Sequence, residues 1–249
     1  MSKKIDAHIR AVLFDLDGTL ADSEIWWAQI DAAFLGEFGI VYDGEHHQAL
    51  VGVAARSAMH FFKGAYNLAL DPDEMLARYH EIAVDYYAAR IDLFPNASEV
   101  LTSVRAMELP VGLVTSSARR LVVPFLKRHD LAAKFDVVVT GEEVKHAKPA
   151  PDIYLLAARR LKLPPRQCLA VEDSLTGVRA GRAAGMTVVA IPDKRWSDRR
   201  HFQDEAHGMA EDLQEVVGML RRRRQETRRA ESRNSRNSDV PMNDIEARE

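Results

Sequence analysis

The 249-residue chain predicts an α/β fold, a doubly wound parallel sheet of Rossmann-like form carrying an inserted α-helical cap domain. Two observations predict it. Short runs rich in Val, Ile and Leu alternate with segments of helical periodicity, the pattern of a parallel sheet covered on both faces. The first two such runs are instead separated by about 95 residues that carry strong helical patterning and no comparable strand signal.

In chain order, the apolar runs predict strands over residues 9–14, 110–114, 135–139, 168–171 and 186–191, each bounded by Gly, Asp, Pro or Thr. Residues 118–128, 153–161 and 175–184 have the length and periodicity of crossover helices. The long separation holds three more helical patterns, 23–38, 54–64 and 73–89, with Ser23 and the Asp71-Pro72 pair as start signals. The expected division is a core of residues 1–20 and 94–220 with a helical cap of residues 21–93. From Arg221-Arg222-Arg223-Arg224 onward, large apolar side chains almost vanish, so 221–249 reads as a disordered, arginine-rich tail. Clustered arginines also attract phosphates, which keeps a nucleic-acid or phospholipid arm open. A charge run without interleaved aromatics favours the solvated tail.

Composition removes several function classes. Hydrophobic residues make up 47% and charged residues 29%, close to globular norms, and no apolar run approaches the ~20 residues that span a bilayer. A net charge of −3, from 34 basic and 37 acidic residues, gives no global attraction to nucleic acid or anionic membrane. The polar N-terminus is unlike a secretory signal, and Cys168, the single cysteine, has no partner for an internal disulfide. A reducing, cytoplasmic setting is expected.

Four short segments carry the chemistry. The strand Val12-Leu13-Phe14 runs into Asp15-Leu16-Asp17-Gly18-Thr19, two carboxylates spaced by one residue at a strand end, where open α/β sheets place ligands. Strand alternation would put both acids on one side, although Gly18 permits a turn that alters this. After the second core strand stands Thr115-Ser116-Ser117, whose hydroxyls and N–H groups could cradle an anion. Lys148-Pro149 precedes a helix, where the ammonium could neutralise phosphate and nearby carboxylates. Glu172-Asp173-Ser174 again places acids at a strand end, hard oxygen ligands suited to Mg²⁺. Taken singly, each has a plainer reading as a helix cap, a turn or a surface lysine.

Together and in this order they resemble the haloacid dehalogenase superfamily, specifically its phosphatases with a helical cap inserted after the first strand. The resemblance covers residues from about Arg10 to Leu220. Haloacid dehalogenases proper lack the second Asp, so Asp17 favours phosphoryl transfer over carbon–halogen cleavage. The resemblance implies Asp15 as nucleophile, forming an aspartyl-phosphate, and Asp17 as acid/base. It implies Mg²⁺ held by Asp15, the backbone carbonyl of Asp17 and Asp173, with Glu172, Gly18 and Thr19 in support. Thr115, the Ser116 N–H and Lys148 would hold the phosphoryl oxygens. Closure of the cap, with hinges near Ala21-Asp22 and Leu93-Phe94-Pro95, would exclude water.

The implied activity is Mg²⁺-dependent hydrolysis of a small phosphorylated metabolite, with sugar phosphates (hexose or hexitol phosphate) as the expected class and no specific nucleic acid. A β-phosphoglucomutase-type mutase and a non-catalytic phosphate-binding module are the alternatives. Mutases of this type carry a cap histidine twelve residues after the nucleophile, where this chain has Trp27. Glu24, Trp27 and Arg56 are the candidate cap contacts to substrate; an aromatic can stack on an apolar sugar face, while Trp26 and Trp27 could equally pack the cap interior. Gly52 could shape a cap loop. Cys168 reads as a packing residue, and adjacent His46 and His47 lack the spacing of a zinc site.

Overall fold

The structure is a computed structural model that describes residues 8–238 apart from 43, 45, 47–49, 51, 52 and 54. Gly52 and His47 therefore lie outside the described residues. Six parallel strands form one sheet in the order β3-β2-β1-β4-β5-β6: β1 (Ala11–Phe14), β2 (Val111–Val114), β3 (Val137–Val139), β4 (Cys168–Glu172), β5 (Thr187–Ala190) and β6 (Gly208–Met209). The strand order reverses at β1, which pairs with β2 on one side and β4 on the other, Phe14 opposite Leu113 and Val171. Because these three strands are in register, Asp15, Thr115 and the Glu172-Asp173 pair emerge together at the carboxyl edge. This is the crevice where doubly wound sheets bind ligands.

Strands β1, β2 and β4 are buried along their whole length, which is why they read as continuous apolar runs rather than alternating ones. Crossover helices α5 (Arg119–Arg128), α6 (Asp152–Arg160) and α7 (Leu175–Ala183) match the three expected segments within one or two residues. A helix α4 (Ala97–Arg105) that the sequence reading did not single out precedes β2. Cys168 is buried, and burial pushes its thiol up to about 11, in keeping with a packing role.

Between β1 and α4 stand α1 (Glu24–Gly36), α2 (Ala55–Ala65) and α3 (Pro72–Ala89). Asp71 caps α3 by accepting the Asp73 N–H at 2.8 Å, as its sequence suggests. Ser23 does not cap α1: its backbone is already helical and its buried hydroxyl finds no partner. Met75, Tyr79, Ala83 and Tyr87 recur every four residues on α3 and form its buried stripe.

The two strands of chain that join cap to core are tied to each other. Ala21 bridges Leu93, the Asp22 N–H donates to the Asp92 carbonyl at 2.9 Å, and the Phe94 N–H donates to the Leu20 carbonyl at 2.9 Å. Core arginines grip both: Arg195 reaches Asp22 at 2.6 Å, and Arg128 reaches Asp92 at 2.7 Å and the Ile91 carbonyl at 2.6 Å.

The expected tail from residue 221 is corrected. Helix α8 runs Leu213–Ser238, its first turns buried through Leu213, Val216, Val217 and Leu220. No Gly or Pro interrupts residues 219–238, and Arg and Glu are good helix formers. Arg223 pairs with Glu226 one turn on at 2.7 Å, and the Arg224 guanidinium donates to the Met107 carbonyl. Residues 239–249 lie outside the described residues.

After β3, Thr140 and Glu143 form a reciprocal capping box that shapes the turn packed against Ser116. Partial burial opposes ionisation of Glu143, but hydrogen bonds from Arg160, the Thr140 N–H and Arg119 outweigh it and hold the carboxyl down at about 2. Glu143→Gln should lower stability by about 1 kcal/mol at pH 7. Because the folded value lies below the unfolded one, this difference should be fully present above about pH 4.5 and vanish as pH falls towards 2, as urea melts across that range would read.

Candidate active site

Asp15 follows β1 and is buried, as are Glu172 at the end of β4 and Asp173 beside it. Lys148, from the loop before α6, joins the two strand ends: its ammonium donates to Asp15 Oδ1 at 2.6 Å, to Glu172 Oε1 at 2.6 Å and to the Val114 carbonyl at 3.2 Å. Burial alone would discharge the lysine, but the carboxylates of Asp15 and Glu172 outweigh it and keep the ammonium charged. The other Asp15 oxygen has no hydrogen-bond partner among the described residues, and Asp15 lines a cavity of about 100 Å³.

Glu172 is an anchor. Its Oε1 also accepts from Tyr154 at 2.7 Å and its Oε2 from Ser174 at 3.2 Å, which leaves little capacity for another ligand. A Cβ at Gly177 would stand 2.0 Å from its Cδ, so the helix α7 can approach this closely only with glycine there. Gly18 has a similar constraint: its φ is +76°, and a Cβ would lie 2.0 Å from Asp173 Oδ2. Thr19 donates to Asp173 Oδ1 at 3.3 Å.

Oxygens of Asp15, Glu172 and Asp173 lie within 4.8 Å of one another, all buried. Burial is the main cause that raises the Asp15 and Asp173 carboxyls well above the ordinary range, and their mutual repulsion adds to it against the pull of Lys148. Three carboxylates share one ammonium, so two negative charges have no protein counter-charge in this cluster. A hard divalent cation on Asp15 and Asp173 fits this charge deficit, the oxygen donor set and the absence of a Cβ at Gly18.

Asp17 sits in the same cavity with different partners. Its carboxylate accepts from Thr115 Oγ1 at 3.1 Å, from Ser117 Oγ at 2.6 Å and from the Tyr87 hydroxyl of cap helix α3. Gly18 thus separates the two acids, Asp15 towards Lys148 and Asp17 towards β2 and the cap. Thr115 lies behind the cavity wall, its hydroxyl engaged with Asp17 and accepting the Ser117 N–H at 2.9 Å. Ser116 lines the cavity, and its N–H has no acceptor among the described residues. The helix opens later than expected, at Arg119.

Ser117, expected with Thr115 and Ser116 at an anion cradle, meets Asp17 instead; Tyr87 and Tyr154 are not legible in the sequence as site residues. A signal existed for Tyr87: it shares the apolar stripe of α3, and a buried tyrosine hydroxyl needs a partner that the stripe itself cannot supply.

Of the cap candidates, Glu24 and Trp27 line the cavity. Burial, with Asp17, Asp193 and Asp31 nearby, pushes the Glu24 carboxyl up to about 8. Trp27 stacks on Tyr79 at 6.1 Å and nearly parallel, so it both packs against α3 and lines the cavity. Trp26 packs edge-on against Tyr86. Arg56 does not line this cavity; it is exposed, paired with Asp73, and borders the outer groove with Arg120 and Lys145. Asp31, which the sequence reading passed over, lines the inner cavity.

A carboxylate with a free oxygen in the cavity, a second acid two residues on, a buried lysine and a cluster of acids suited to a cation together form the kind of centre that phosphoryl transfer needs. The family model described as haloacid dehalogenase-like hydrolase matches residues 12–191, and the chain belongs to that family. It is a phosphoric monoester hydrolase of that superfamily, similar to named phosphatases. A phosphorylated carbohydrates phosphatase of Thermotoga maritima is 32% identical over 178 residues, 72% of this chain and 82% of that protein. The bifunctional riboflavin kinase/FMN phosphatase of Arabidopsis thaliana is 33% identical over 196 residues, 77% of this chain, but the chain spans only 51% of its length. The crystal structure of CbbY from Rhodobacter sphaeroides in complex with xylulose-(1,5)bisphosphate superposes with a TM-score of 0.74 at 25% identity, covering 82% of this chain and 95% of that one. No helix among the described residues is long and apolar enough to cross a membrane.

Tyr87→Phe removes one of three donors to Asp17 while leaving the ring packing in place. It should lower kcat about tenfold with KM little changed. Steady-state kinetics on any turned-over phosphomonoester checks this.

Proposed function

We propose that the protein is a Mg²⁺-dependent phosphatase that hydrolyses small phosphomonoesters, sugar phosphates foremost, through an aspartyl-phosphate on Asp15. The observation that carries this is the Asp15 carboxylate itself. One oxygen is held by Lys148 at 2.6 Å and the other is free of hydrogen bonds among the described residues, in a carboxylate that lines the cavity. The free oxygen attacks phosphorus, and the bond from phosphorus to the ester oxygen breaks. Asp17, in its protonated form, gives its proton to the departing alkoxide. It then takes a proton from the water that attacks the aspartyl-phosphate, which releases phosphate and regenerates Asp15.

Lys148 and the Ser116 N–H stand at the phosphoryl end, with Thr115 holding Asp17 in place behind them. Asp15, Asp173 and the Asp17 backbone carbonyl would hold Mg²⁺, which when bound shields the anionic nucleophile from the anionic phosphate. A cavity of about 100 Å³ is smaller than the ~300–1,000 Å³ of ordinary ligand sites, so substrate enters when the cap swings away at the paired linkers. Trp27 offers an indole where a mutase needs a base, which favours discharge by water over transfer to a second sugar hydroxyl.

The test is phosphate release from 4-nitrophenyl phosphate and a hexose and hexitol phosphate panel. Release should stop on chelation and return with Mg²⁺, and Asp15→Asn should reduce it by at least ~10⁴-fold. Sugar-phosphate isomerisation primed by a bisphosphate, without release, would establish the mutase instead. Phosphate binding without either activity would establish a binding module.

A further inference from the structure

Five carboxyl side chains and one ammonium line the cavity among the described residues: Asp15, Asp17, Glu24, Asp31 and Asp173 against Lys148. Lys148 is the single lysine or arginine among those described lining residues, and it is paired with Asp15 and Glu172. The positions between 43 and 54 that the structure does not describe include no Lys or Arg. The cap side of the lining comes from α1 and α3. Glu24 and Asp31 are seven residues apart on α1, two turns of one face, and both line the cavity while only 6% and 3% exposed. Trp27 stands between them on the same face.

Asp31 is fixed rather than floppy. Its Oδ1 accepts the Tyr79 hydroxyl at 2.7 Å, and the Tyr79 ring stacks on Trp27. Its Oδ2 and both oxygens of Glu24 have no hydrogen-bond partner among the described residues. These acceptor oxygens face the cavity, so a ligand that brings donors can be bound by them. A ligand that brings a second anion is disfavoured, because like charges would meet in a desolvated space.

We propose that Asp31, held by Tyr79 and acting with Glu24, selects phosphomonoesters whose leaving group is an uncharged, hydroxyl-rich chain and rejects those whose leaving group carries a second anion. This rests on the phosphatase reading above and assigns its substrate class. The hydroxyls of such a leaving group donate to Asp31 Oδ2 and Glu24, while its C–H face lies on Trp27. The cations Arg56, Arg120 and Lys145 line an adjoining groove, which meets this cavity at His80, Ser116 and Lys148, and none of the three lines the cavity itself.

The matched pair of a hexitol monophosphate and the corresponding hexitol bisphosphate tests this, with kcat/KM measured for both on wild type, Asp31→Asn and Tyr79→Phe. Wild type should favour the monophosphate by about 100-fold. Asp31→Asn removes the charge at nearly constant shape and should lower that ratio about tenfold; Tyr79→Phe leaves the charge and should lower it by no more than about threefold. A merely structural role would scale both rates together and leave the ratio fixed, which overturns the proposal. So does a wild-type preference for the bisphosphate, above all one lost on Arg56→Ala or Arg120→Ala. Hydrolysis of 4-nitrophenyl phosphate with neither hexitol ester accepted overturns this inference and leaves the phosphatase reading standing. No hydrolysis of any ester overturns both.

Discussion

The site depends on one buried ammonium. Strands β1 and β4 are neighbours in register, so their ends bring Asp15 and Glu172 together in a space from which water is excluded. Lys148, 2.6 Å from each, is the buried cation that draws the two strand ends together and opposes the burial that raises the Asp15 carboxyl. A buried ion pair of this kind is weak as a source of stability, since desolvation offsets most of the Coulomb gain. In the proposed mechanism its role is to orient the Asp15 carboxylate towards the substrate phosphate. Tyr154 and Ser174 complete the anchor at Glu172, so the lysine's direction is fixed from behind and the Asp15 oxygen it leaves free is fixed with it.

Asp17 is governed by a different constraint, the position of the cap. Two of its donors, Thr115 and Ser117, belong to the core, while the third, Tyr87, belongs to α3 of the cap. The linkers between the two parts are paired to each other and held by Arg195 and Arg128 of the core. The Tyr87 hydroxyl therefore ties the position of α3 to that of Asp17, and in the proposed mechanism a substrate that holds the cap down would also complete the catalytic set.

Much of this was legible in the sequence because the relevant residues sit at the ends of apolar strands. The strand runs, the long helical separation and the segments around Asp15, Thr115, Lys148 and Glu172 each carry a local signal, and sheet register converts four local signals into one place. What was not legible depends on contacts across long sequence separation. Asp31 and Tyr79 are 48 residues apart, Tyr87 and Asp17 are 70 apart, and nothing in the stripe of α3 says which hydroxyl meets which acid. Ser23 marks the start of α1 but makes no side-chain cap bond because its own backbone is already helical, and the arginine run after Leu220 continues a helix because no breaker interrupts it. A polar composition argues against burial, but it does not argue against a helix.

The central claim is that Asp15, oriented by Lys148, takes the phosphoryl group covalently. Its most direct test is rapid mixing with a ³²P-labelled ester that the protein turns over, acid quench within a single turnover, and mapping of any covalent label on proteolytic peptides. The account predicts transient label on the peptide containing Asp15, absent in Asp15→Asn and restored to free phosphate as turnover completes. Full phosphate release with no label on that peptide at any time point would contradict it and point to direct attack by water.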